Sequence, residues 1–135
     1  MMVMIDPGQL TQAVWNLMDN SLKHAGSGDR RPVITIRISP IRGNREVALD
    51  VIDDGPGIPM EKRAQVFEPF FTTHNQGSGL GLYLSRQLCD ANQAPLEYVQ
   101  IPNSGACFRI LLRRPQASIR ETSASQLSKL DRESP

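Results

Sequence analysis

What the sequence has little of narrows its reading first. Cysteine is scarce: Cys89 and Cys107 are the only two, with no metal-ligand partners at useful spacing. Two reduced thiols are the expectation, and a disulfide between them stays open on sequence alone. Charge of one sign is lacking too. The formal net charge is +1, which offers no electrostatic case for nucleic acid or for an acidic membrane surface. No apolar run approaches the roughly 20 residues that cross a bilayer. The opening Met1-Met2-Val3-Met4-Ile5 is too short for a signal peptide and has no basic flank. No internal repeat is visible.

What is present reads as one domain of 39% apolar composition, enough for a packed core. Asp6-Pro7 is a helix start, with Asp as N-cap and Pro at the first helical position. Leu10, Val14, Leu17, Ser21 and Ala25 then recur every three or four residues and mark a buried helix face, which Gly26-Ser27-Gly28 ends. Strands are expected over Val33–Ile38 and Glu46–Asp53, pairing as an antiparallel hairpin. A short helix over Pro59–Phe67 leads into an irregular loop up to Gln76. A second helix runs from about Leu80 to Asn92, and two more strands flank a turn at Asn103-Ser104-Gly105. This order predicts an α+β two-layer sandwich, with a mixed sheet and helices on one face. Residues 1–114 form the domain. Pro115 to Pro135, rich in Ser, Thr and charge, reads as a flexible tail or linker.

Four local features carry chemistry. Asn16, Asn20, Lys23 and His24 fall on one side of the first helix, away from Leu10 and Leu17, at about 100° per residue. An ordinary solvated face would look similar. But Asn is a poor helix former, and neutral oxygens with one cation suit a hydrated Mg2+ bridging phosphates. Asp53-Asp54-Gly55-Pro56-Gly57-Ile58 puts a carboxylate at a strand end before glycines. That is either a plain turn or a place where a ligand lies against the backbone while the carboxylate accepts a hydrogen bond, for example from an exocyclic amine. Phe67-Glu68-Pro69-Phe70-Phe71-Thr72-Thr73 concentrates three of the four Phe residues. It is either a hydrophobic plug or the hinge of a mobile loop. Gly77-Ser78-Gly79-Leu80-Gly81 offers backbone N–H groups at a helix start. It fails as a P-loop for want of a following Lys-Ser/Thr, and as a dinucleotide fingerprint because Leu82 stands where the third glycine belongs.

Together and in this order, the four resemble the N, G1, F and G2 boxes of the histidine-kinase branch of the GHKL ATPase superfamily, over about residues 5 to 113. The resemblance implies the two-layer GHKL (Bergerat) sandwich and, as cofactors, ATP and Mg2+. Asn20 would be the metal ligand, with Asn16 and Lys23 at the phosphates and His24 lining the pocket. Asp53 would accept the adenine amine, and Gly55 and Gly57 would make room for the base. Gly79, Leu80 and Gly81 would donate to phosphates from their backbone. Ile58, Phe70, Thr72, Thr73, Gly77 and Ser78 would complete the nucleotide surround, and the stretch from Thr72 to Ser78 would be a short ATP lid. That short lid resembles the nitrogen-regulator and pilus-sensor subgroup.

The resemblance further implies a protein histidine kinase of which this chain is the catalytic, ATP-binding part. The partners implied are ATP or ADP, a separate histidine-containing dimerisation domain preceding Met1, and a response regulator. The domain would be cytoplasmic and make no membrane contact itself, within a parent in the bacterial inner membrane. His24 and His74 are the only histidines, and neither sits in a context resembling the phosphoacceptor motif. The gyrase, Hsp90 and MutL branches carry a glutamate base where Asn16 stands here, and an amide takes no proton near neutral pH. Asp19, beside Asn20 in sequence, points about 100° away from it on the helix. An anti-sigma serine kinase and a purely regulatory nucleotide-binding module are the other readings.

Overall fold

The computed structural model describes residues 2–24, 30–71, 79–102 and 105–115. The helix stop at Gly26-Ser27-Gly28, the lid, most of the Asn103-Ser104-Gly105 turn and residues 116–135 of the expected tail therefore lie outside the described residues.

Helix α1 (Pro7–His24) begins as the sequence predicts. The Asp6 carboxylate accepts the Gln9 N–H at 2.8 Å, satisfying one of the donors that a helix start leaves open. Its inner face buries Ala13, Leu17 and Ser21. Strand β1 (Ile34–Ile41) and strand β2 (Glu46–Asp53) pair antiparallel across a turn at residues 42–45. Arg42, Gly43 and Asn44 there all have positive φ (49°, 63° and 65°). β1 runs three residues further than the sequence pattern suggests, through Pro40. Proline is tolerated because β1 is an edge strand whose outer side needs no donor.

The segment after β2 forms a 3-10 helix, Met60–Gln65. It closes with an i→i+3 bond from Lys62 N–H to the Pro59 carbonyl (2.9 Å) and has no side-chain cap, which suits a single short piece. Helix α2 (Gly81–Ala91) follows, then strand β3 (Leu96–Gln100) and strand β4 (Ala106–Arg113).

The four strands lie in the order β1-β2-β4-β3. The two-layer α+β sandwich stands, with one correction: instead of a mixed sheet, all three pairings among the described residues are antiparallel. β2 and β3 do run in the same direction, but β4 inserts between them, so they never pair in parallel.

Val47, Leu49 and Val51 of β2 and Phe108, Ile110 and Leu112 of β4 alternate toward the helices, where they meet Ala13, Leu17 and Cys89 in one core. α1 covers β2 and leaves the helix-facing side of β1 open, so Ile36 and Ile38 are 45% and 59% exposed. The two helices are tied by the buried Ser85 hydroxyl, which donates to the Ala13 carbonyl at 3.2 Å. At the other end, Asn92 accepts the Asp6 N–H at 3.1 Å. On the opposite sheet face, Asp50 of β2 sits in register between Arg37 of β1 and Arg109 of β4. It is fully buried and accepts from both guanidinium groups, at 3.0 Å from Arg37 and 2.7 Å from Arg109. Both cysteines are free and buried, and burial pushes each thiol up to about 11. No helix among the described residues is long and apolar enough to cross a membrane.

Candidate functional site

Three ends meet at one edge of the sandwich: the second half of α1, the exit of β2, and the start of α2. They enclose a cavity of about 470 Å³, within the size range of small-molecule sites. α1 contributes Asn16, Asn20, Lys23 and His24, so the polar side of that helix faces a cavity rather than open solvent. Its amphipathic pattern explains this: burying Leu17 against the sheet turns the asparagine side toward α2 and the 3-10 segment. Gln12 donates to the Asn16 carbonyl at 3.1 Å. No hydrogen bond is recorded for the Asn20 side chain among the described residues.

Asp53 closes the other side of the cavity and is only 3% exposed. Its Oδ1 accepts two backbone N–H groups, from Gly55 at 2.9 Å and Ala106 at 3.0 Å. Its main-chain carbonyl accepts the Gly105 N–H at 3.1 Å. Its Oδ2, buried, has no partner among the described residues. A buried unpaired carboxylate oxygen is costly, and a ligand donor would relieve that cost. The apolar part of the lining includes Ile58, Val66, Phe71, Leu82 and Phe108. The cavity thus combines apolar side chains and one buried carboxylate with the amides and Lys23 of α1. That combination fits a ligand that has both a planar base and phosphates. Among the described residues no group of three His, Cys, Asp or Glu side chains is arranged to hold a metal. The donor set at Asn20 instead suits Mg2+ carried largely by phosphate oxygens.

Of the residues expected from sequence, Asn16, Asn20, Lys23, His24, Asp53, Gly57, Ile58, Gly79 and Gly81 line this cavity. Three described ones do not. Gly55 turns its N–H onto Asp53 and borders a separate depression with Arg30 and Asp54. Leu80 is the N-cap of α2, where its carbonyl accepts the Leu84 N–H at 2.8 Å. Phe70 points outward, 73% exposed, with a left-handed φ of 65°. Thr72, Thr73, Gly77 and Ser78 lie outside the described residues.

Phe70 and Gly79 nevertheless pair with each other. The Phe70 N–H donates to the Gly79 carbonyl at 2.9 Å. A Cβ on Gly79, whose φ is 73°, would come within 2.5 Å of the Phe70 backbone, so only glycine fits there.

Sequence reasoning missed several cavity residues. Asp19 borders it on the Lys23 side: the wheel angle that separates it from Asn20 still leaves it facing so wide an opening. Arg63 lines it as well, donating to the Ile58 carbonyl at 3.0 Å and to Gln100 at 2.7 Å, with its guanidinium 5.2 Å from the Tyr98 ring centre. Gln100, Ala106 and Phe108 arrive from β3 and β4. Gly105 was read only as a turn, yet a Cβ there would lie 2.6 Å from both the Asp53 carbonyl oxygen and the Gly55 nitrogen. The signal for it was a glycine immediately before a strand, and nothing local says what that glycine packs against.

Comparison with known proteins identifies the family. The family model described as histidine kinase-, DNA gyrase B-, and HSP90-like ATPase matches residues 5–116. Sensor protein kinase PilS of Pseudomonas aeruginosa is 43% identical over 112 residues, covering 83% of this chain and 21% of that protein. A mycobacterial sensor histidine kinase, MprB, superposes with a TM-score of 0.68 at 32% identity, over 82% of this chain and 74% of the other. The full-length kinase ShkA, solved in complex with AMPPNP, gives a TM-score of 0.68 at 29% identity, over 85% of this chain and 24% of the other. The chain therefore spans about a fifth of the length of its curated relative PilS.

Proposed function

The chain belongs to the histidine kinase-, DNA gyrase B- and HSP90-like ATPase family, and from that premise we propose that it binds Mg-ATP and donates the γ-phosphate to a histidine on a separate dimerisation domain. The observation that carries the reading is the buried Asp53 carboxylate, whose Oδ2 has no partner among the described residues, in a cavity that Asn16, Asn20 and Lys23 also line. Asp53 is fixed by two backbone donors on Oδ1, so Oδ2 is held ready for the adenine amine. Guanine offers a carbonyl at that position, which a carboxylate repels. Ile58, Leu82 and Phe108 flank the base, with Gly57 leaving room beside it. Lys23 holds phosphate as a point charge.

Asn20 would hold Mg2+, which when bound neutralises phosphate charge, with Asn16 helping at the phosphates. Phosphoryl transfer is mainly positioning and charge neutralisation, and these residues supply both. In-line attack needs an acceptor. The cavity has no Glu in the position of Asn16 to activate water, so donation is favoured over hydrolysis. The chain on its own binds nucleotide without phosphorylating itself. Its partners are the histidine-bearing domain and, through it, a response regulator, in a parent held at the bacterial inner membrane. The likeness to PilS and the short lid support a regulator of type IV pilus genes.

Asn20→Ala tests the metal assignment. Calorimetry should show Mg2+-dependent nucleotide binding lost while the far-UV spectrum is unchanged. Wild-type affinity in that variant would remove Asn20 from the role.

A further inference from the structure

Asp19 lines the same cavity as Asn16, Asn20 and Lys23. Its Oδ2 lies 3.0 Å from Lys23 Nζ, one helical turn on, with the two side chains 54% and 41% exposed. Without ligand, then, the cation meant for phosphate is already paired. The other carboxylate among the described lining residues, Asp53, has one oxygen committed to backbone donors and lies at the end of β2 rather than on α1. Asp19 is therefore the carboxylate on the asparagine helix itself. A polyphosphate entering without a metal must take Lys23 from Asp19 and then lie beside a like charge. A polyphosphate carrying Mg2+ meets the same carboxylate as an attractive one.

We infer that Asp19 is the residue that makes nucleotide binding metal-dependent, by opposing the metal-free form and favouring the Mg2+ complex. This rests on the nucleotide-binding reading above. Asp19 acts through charge and through Lys23, so it is a positioning residue. The cations on the 3-10 helix do not replace its effect on Lys23: Arg63 is engaged by Ile58 and Gln100, and Lys62 carries the same sign as Lys23.

The experiment is calorimetric titration of ADP, with Mg2+ and again with EDTA, into the wild type, Asp19→Asn and Asp19→Glu. Asp19→Asn should bind metal-free ADP roughly two- to five-fold tighter, the scale of a half-exposed ion pair, and Mg-ADP no tighter. The gain on adding Mg2+ therefore contracts, and raising the salt concentration narrows the difference between variant and wild type. Asp19→Glu should restore the wild-type ratio. Equal weakening of both forms in Asp19→Asn, or no change in either, overturns the inference while leaving the proposed function intact. Failure of the wild type to bind either form overturns both.

Discussion

Ser21 and Asp53 each bury an oxygen that finds no partner among the described residues, and the two differ in what surrounds them. Asp53 is one of the residues that line the cavity. Ser21 lies under α1 against the sheet, away from the cavity, where a hydroxyl only pays desolvation. Ser21→Ala is therefore expected to be neutral or to stabilise by up to about 1 kcal/mol, since alanine also favours the helix. Urea denaturation measures it, and a clear loss of stability would show that the hydroxyl has a partner after all. At this scale the sequence was informative wherever cavity residues share one short stretch. Asn16, Asn20, Lys23 and His24 share a helix, and Asp53 ends a strand in front of glycines. It was silent on Gly105, Gln100 and Arg63, whose places depend on a sheet that brings β3 and β4 beside β2.

The elements were legible for the same reason. The cap at Asp6, the apolar period of α1 and the β-branched runs of β1 and β2 are local, and the structure follows them within a few residues. The strand order was not, because inserting β4 between β2 and β3 is a packing outcome rather than a pattern along the chain.

One element-level device has a pH signature. Burial opposes the charged form of Asp50, but hydrogen bonds and charge from Arg109 and Arg37 outweigh it and hold the carboxyl below its ordinary value. A depressed carboxyl stabilises the fold above the unfolded pKa of about 3.9, and that contribution is lost as pH falls through the lower folded value. Stability to urea should thus fall on acidification below about pH 4. Asp50→Asn should be less stable at neutral pH, by about 1–3 kcal/mol, and should respond less to acid. A variant as stable as wild type at pH 7 would show that the row Arg37–Asp50–Arg109 does not help join the three strands. Arg37 is half exposed, so Arg109, 24% exposed, carries the larger share.

At the scale of the whole molecule, one cavity is assembled from parts far apart in sequence. β2 and β4 supply Asp53, Ala106 and Phe108, α1 supplies Asn16, Asn20 and Lys23, and the Phe70 N–H donates to the carbonyl of Gly79, which lines the cavity with Gly81. The chain covers about a fifth of PilS. The proposed function requires that the cavity select an adenine nucleotide through Asp53. The ratio of Mg-ATP to Mg-GTP affinity, measured by calorimetry in the wild type and in Asp53→Asn, tests it most directly. Asparagine keeps one oxygen for the Gly55 and Ala106 N–H groups and turns an amide donor toward the base. The wild type should prefer ATP, and the variant should lose roughly ten-fold or more in ATP affinity, the scale of a hydrogen bond to a charged group. A wild type that binds ATP and GTP alike, or a variant that keeps full ATP affinity, would contradict the account.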